Sequence, residues 1–158
     1  MHSTSPTRTE LIRSVQEARG ELVALARSLS PAELEVQVHP GWTVKDVLAH
    51  VAASEARLVD RAVKIANGQA TTDPSYNPQK STQVEVEKRR GQSVDDFLGE
   101  LTSSRADLVR TLDTLKDDQL SLQGCLASGT PIDVIGIFRR IADHERGHCA
   151  EIRAAIGP

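Results

Sequence analysis

Two histidines, His144 and His148, stand four residues apart in the stretch IADHERGHCAEI near the end of the chain. On a helix this spacing puts both imidazoles on one face, a turn apart. Projected at about 100° per residue, Ile137, Ile141, His144, His148, Ile152 and Ala155 share one stripe. The rings therefore stand where an apolar stripe continues, not on the polar flank. A buried polar atom without a partner costs about 1–3 kcal/mol, so inward imidazoles need something to bind. A pair of ring nitrogens at i, i+4 is a geometry that holds one transition metal. A packed, satisfied core histidine is the plainer reading, and for a lone inward histidine it is the usual one.

A third ligand must come from another segment. His2 lies in the polar leading residues and His39 in a loop, whereas His50 falls within the first two turns of an earlier helix, at the edge of its stripe. Facing helices of a bundle build metal sites from such side chains. Three protein nitrogens leave coordination positions open, which is the catalytic rather than the structural arrangement. HERGH also fits H-E-x-x-H, in which the glutamate is the general base of a metalloprotease. The ligand count argues against that reading, because ten residues follow His148 and none is histidine. Glu151, one turn on, is the nearby carboxylate. Glu145 lies one residue round from His144 and is the candidate to accept a proton or orient a ligand. The plainer alternative is a glutamate that is solvated or paired with an arginine.

The elements that must position these residues read as helices. Leu11, Val15, Ala18, Leu22, Leu25 and Leu29 recur in steps of four and three, which predicts a helix from about Thr9 to Leu29. Ser30-Pro31 stops it, and Pro31–Leu34 adds a single turn. Thr43 and Asp46 form a capping box for a second helix ending at Gly68, with Trp42 and Val47 at the staple positions. Residues 69–92 are polar, with turn signals at Asp73-Pro74 and Asn77-Pro78 and a short helix predicted over Thr82–Arg90. Ser93 and Asp96 open a third long helix striped by Phe97, Leu101, Leu108, Leu112 and Leu115. The fourth is predicted to start at a Thr130 cap with Pro131 in the first turn and to run to about Ile156. Short, long and medium connections predict an all-α four-helix bundle, up-down-down-up, with the long crossover between the second and third helices. One domain is expected over 1–158, residues 1–8 forming a disordered tail.

The net charge of -3 comes from interspersed acids and bases, with no basic stripe for nucleic acid. Two cysteines make no disulfide framework, so a reducing cytoplasm is expected. No apolar run approaches the length of a membrane span. A spare apolar edge on such a bundle makes a homodimer the expected assembly. Cys149 projects away from His148 and reads as a packed side chain, and Cys125 reads as a loop bystander. Gly147 either admits a close neighbour or is a tolerated mid-helix glycine. Arg57 and Arg61 lie on His50's side of their helix, either to meet an anionic substrate or as an exposed basic face.

The block GWTVKDVLAHVAASEARLV resembles the start of the second helix in the DinB/YfiT-like superfamily of metal-binding bundles. IADHERGHCAEI resembles that family's closing H-x-x-x-H helix, and the likeness extends over nearly the whole chain, including LSPAEL and the long middle connection. The resemblance implies a zinc- or nickel-type divalent site, with His50 matching the first ligand and His144 and His148 the closing pair. Relatives include thiol-dependent S-transferases and maleylpyruvate isomerases that use mycothiol or bacillithiol. The expected activity is therefore transfer or activation of a small-molecule thiol towards an electrophile. A hydrolase using metal-bound water and a non-catalytic metal-binding helical dimer are the alternatives. The mycothiol-dependent isomerases carry a further C-terminal domain, and this chain stops ten residues after His148.

Overall fold

The structure is a computed structural model that describes residues 6–157. His2 and the first part of the expected tail lie outside the described residues. Four long helices carry the fold: α1 (Pro6–Ser28), α3 (Val44–Ala66), α5 (Val94–Thr114) and α7 (Val134–Ile156). Between them come the short helices α2 (Pro31–Leu34), α4 (Pro78–Lys88) and α6 (Asp117–Leu120). Two antiparallel hairpins complete the order, β1 (Gln37–His39) with β2 (Trp42–Thr43) and β3 (Gln123–Cys125) with β4 (Pro131–Asp133). None of the described helices is long and apolar enough to cross a membrane.

The stripes close on one another as a ring: α7 packs on α1 and α3, and α5 packs on α3 and α1. Side-chain contacts give the directions. Arg8, near the start of α1, donates to the carbonyls of Leu112 and Leu115 at the end of α5, and Arg19 donates to Leu101 O at 2.8 Å. Arg139 lies 3.8 Å from Glu10, and Arg146 donates to Ser14 Oγ at 3.2 Å, so α1 and α7 run together. One core cluster joins Val47, Leu48 and Val51 to Leu22, Phe97, Leu101 and Ile152. The other joins Ala62 and Ile65 to Leu11, Val15, Leu108, Leu112, Ile137 and Ile141. Each fully buried aliphatic side chain contributes about 1.5–3 kcal/mol. Between the two apolar clusters lies a charged layer, described below.

The structure corrects the sequence reading at several points. Residues 6–8 are helical rather than tail, because Pro6 needs no N–H partner in the first turn and Arg8 is anchored on α5 and on Asp117 at 2.8 Å. Asn77-Pro78 is a helix start, not a turn: Asn77 Oδ1 accepts from Lys80 N–H at 3.1 Å, and α4 begins before Thr82. The fourth helix is capped by Asp133, whose Oδ1 accepts from Gly136 N–H at 2.6 Å, and not by Thr130. Pro131 instead ends a ladder, paired with Cys125, at a strand terminus where its missing N–H is tolerated. Gly124 lets this hairpin press on α3, since a Cβ there would lie 2.8 Å from Ile65 Cγ1. The β1–β2 hairpin turns through Gly41 at φ 81° and delivers His39 and Trp42 to the histidine end of the bundle.

Candidate metal centre

His50 comes from the second turn of α3, and His144 and His148 from the middle of α7. His144 Nε2 lies 3.0 Å from His50 Nε2 and 3.1 Å from His148 Nε2. One ring nitrogen from each residue lies within 4.8 Å of the others. The three rings meet edge to face, with centroids 4.5–4.9 Å apart and interplanar angles of 75°, 85° and 86°. They therefore converge on a point rather than stack. Nitrogens about 2.0–2.1 Å from one ion lie roughly 3–3.4 Å from each other, which the two separations from His144 match.

The outer ring nitrogens face different partners. Ser54 Oγ donates its one proton to His50 O at 2.7 Å, so at 3.4 Å from His50 Nδ1 it can only accept. His50 then carries its proton on Nδ1 and presents a lone pair at Nε2. His148 Nδ1 lies 3.5 Å from Glu151 Oε2 but is buried with no hydrogen-bond partner, and Glu151 Oε1 lies 2.6 Å from His39 Nε2. Two ring nitrogens thus face His144 Nε2, which has at most one proton and can donate to no more than one of them. A shared cation relieves the contact left over, and second-shell partners of this kind orient metal-binding imidazoles.

Electrostatics hold the rings neutral. Burial pushes His50 down to about 4, helped by His148 and Arg57. Burial pushes His144 down to about 3, helped by His148, His50, Arg140 and Arg57. Burial also lowers His148, against the pull of Glu151. Neutral imidazole is the state that binds metal. Trp42 sits at its predicted position before the Thr43 cap, with its ring 5.5 Å from His50 and its Nε1 donating to Gln83 Oε1 at 2.9 Å.

Glu145 is neither solvated nor at the stripe's edge. It is 2% exposed, and its Oε1 lies 2.5 Å from Arg19 Nη2 and 3.1 Å from Arg105 Nη2. Arg105 also holds Glu55 at 2.7 Å, and Glu55 accepts from Ser104 Oγ at 2.7 Å. One charge from each of α1, α3, α5 and α7 thus forms a neutral, buried quartet. Burial raises the Glu145 carboxyl above the usual range, with Arg19 and Arg105 opposing. Its Oε2 is buried without a hydrogen bond. Glu145, Glu55, Ser54 and His144 line a cavity of about 10 Å³, room for about one water.

On the other side, His50 and His144 open onto a cavity of about 330 Å³ that Arg57, Arg61 and Arg140 also line. Cys149 is buried and its thiol is pushed up by that burial. Cys125 is in β3, its Sγ 3.6 Å from Arg61 Nη2. Gly147 admits no close neighbour, since no atom comes within 4 Å of a Cβ built there. Sequence reasoning missed Ser54, Arg140 and the quartet partners Arg19, Glu55 and Arg105.

No curated protein matches the chain. Two crystal structures of the mycothiol-dependent maleylpyruvate isomerase, one of a histidine-to-alanine mutant, each align with a TM-score of 0.76 at 17% identity. They cover 96% of this chain, which spans 63% of theirs, and at that identity the likeness is one of fold. The model of the DinB superfamily matches residues 14–152, a span that takes in the three convergent histidines and part or all of every long helix, and the chain belongs to that superfamily.

Proposed function

We propose that the chain is a divalent-metal-dependent enzyme that activates a low-molecular-weight thiol and joins it to an electrophile, in S-transferase or isomerase fashion. The observation that carries this is the meeting of three Nε2 atoms, with Nδ1 of His50 turned outward to Ser54 and Nδ1 of His148 turned outward towards Glu151. Superfamily membership and the fold shared with a thiol-dependent isomerase support the thiol. A zinc or nickel ion bound there supplies Lewis acidity, which lowers the pKa of a thiol or water in its open position.

His50, His144 and His148 would hold the ion, and His50 and His144 also line the 330 Å³ cavity. That cavity orients the electrophile beside the thiol, so that part of the rate gain is proximity. Trp42 packs against His50 and limits the water that reaches it. Glu145 acts from behind as a positioning residue: its Oε1 anchors this turn of α7 to Arg19 and Arg105, and its Oε2 offers an acceptor to the small cavity shared with His144.

The test is turnover by metal-loaded protein purified without an affinity tag. Product formation from mycothiol or bacillithiol and a panel of electrophiles is expected to require the thiol and to vanish in His144→Ala. Metal-dependent ester cleavage that ignores added thiol would contradict the assignment and mark a hydrolase.

A further inference from the structure

The cavity beside the histidines carries unbalanced charge. Its volume, about 330 Å³, falls at the lower end of small-molecule sites, about 300–1,000 Å³. Arg57 is seven residues after His50 on α3, and Arg140 is four before His144 on α7. Both spacings keep the arginine on the face of its histidine.

Several other arginines of this bundle, the buried ones among them, find carboxylates. Arg19 and Arg105 share Glu55 and Glu145, Arg89 binds Glu85 and Glu100, and Arg8 binds Asp117. Among the described residues no carboxylate pairs with Arg57, Arg61 or Arg140. Arg57 Nη1 donates to Ser81 Oγ at 3.0 Å, while its Nε is buried with no partner. Arg61 is braced by the carbonyls of Cys125 and Thr71, each at 2.7 Å, which fix its position without neutralising it. Arg140 makes no hydrogen bond. Lys64 also lines the cavity, but Asp60 balances it at 3.1 Å. The remaining wall includes Leu58, Tyr76 and Leu126. Three unpaired cations facing an apolar wall match a ligand with an anionic end and a hydrocarbon body.

We infer that this cavity binds a small organic anion, its carboxylate held by Arg57 and Arg140 and its body against the wall of Leu58 and Leu126. This deepens the proposed function, since it makes the electrophile a carboxylic acid. It rests on that reading only for the ligand's being a substrate; the binding itself rests on the arginines.

The test is calorimetric titration of the full chain with hexanoate, succinate, their neutral amides and inorganic phosphate, with metal content read in the same samples. At least one carboxylate is expected to bind, at least about tenfold tighter than its amide and tighter than phosphate. Arg57→Gln/Arg140→Gln is expected to lose at least about tenfold of that affinity, with helical circular dichroism and metal content unchanged. If the double variant misfolds, Arg140→Gln alone carries the test, because that side chain is exposed and bonded to nothing. Amide binding as tight as carboxylate, phosphate binding as tight as carboxylate, or affinity indifferent to the arginines overturns the inference. Wild-type protein that takes up no added zinc or nickel yet still binds carboxylate through Arg57 and Arg140 would sink the proposed enzyme and leave the anion site standing. Metal-loaded protein that binds neither acid would overturn the anion site alone.

Discussion

His144 is the residue on which the centre turns, because its Nε2 meets two other ring nitrogens at 3.0 and 3.1 Å. His144→Ala is expected to abolish stoichiometric metal binding. Ser54→Ala removes the acceptor behind His50 Nδ1, together with the bond to His50 O, and should weaken metal affinity by about 10–100-fold, read by competition with a chromogenic chelator. Unchanged affinity in Ser54→Ala would show that His50 does not need its tautomer fixed. A pH effect follows for metal-free protein. Unfolded histidine takes up its proton near 6.5, folded His50 near 4 and folded His144 near 3. The unfolded chain therefore binds more protons over that interval, and stability present above 6.5 is lost as pH falls towards 4 and 3. Urea unfolding after chelation should show lower stability at pH 5 than at pH 7, with a smaller difference in His50→Ala. Gly147→Ala, with open space around the added methyl, should raise stability by about 1 kcal/mol, read in the same assay. The two histidines of α7 were legible in the sequence because they interrupt an apolar stripe. Ser54 was not, because the use of a hydroxyl depends on the rotamer of the ring beside it.

At the scale of elements, the four long helices each place one charge in the buried quartet. The pattern is visible in the sequence. Glu55 follows Val51 by four and precedes Leu58 by three, Arg19 stands likewise between Val15 and Leu22, and Arg105 between Leu101 and Leu108. A charge inside a stripe marks an interior partner as surely as a histidine does. Removing one member strands the others, so Glu55→Ala should destabilise by about 3–5 kcal/mol. Asp60→Ala, which breaks an exposed i,i+4 pair with Lys64, should change stability by less than about 1 kcal/mol. Equal losses in denaturant unfolding would contradict the quartet's structural role. The boxes Thr43/Asp46 and Ser93/Asp96 cap their helices as the sequence predicts. The start of α7 was misread because Thr130-Pro131 and Asp133 both offer a cap, and only cross-strand pairing with Gln123–Cys125 decides between them. Strands of two or three residues are too short to show a period of their own.

For the whole molecule, a net charge of -3 conceals a local excess of the opposite sign, gathered from α3 and α7 at one cavity beside the histidines. Composition could not show this, because Arg140 is distant in sequence from Arg57 and Arg61 and meets them only when the bundle closes. The superfamily fold brings the start of α3 to the middle of α7, and the two histidine segments, 94 residues apart, meet as one candidate set of ligands. The most direct test of that claim is X-ray absorption at the metal edge on protein purified without an affinity tag. One ion per chain with three imidazole nitrogens at about 2.0–2.1 Å is the predicted result, falling to two nitrogens in His50→Ala. Protein without bound metal, or a spectrum that His50→Ala and His144→Ala leave unchanged, would contradict it.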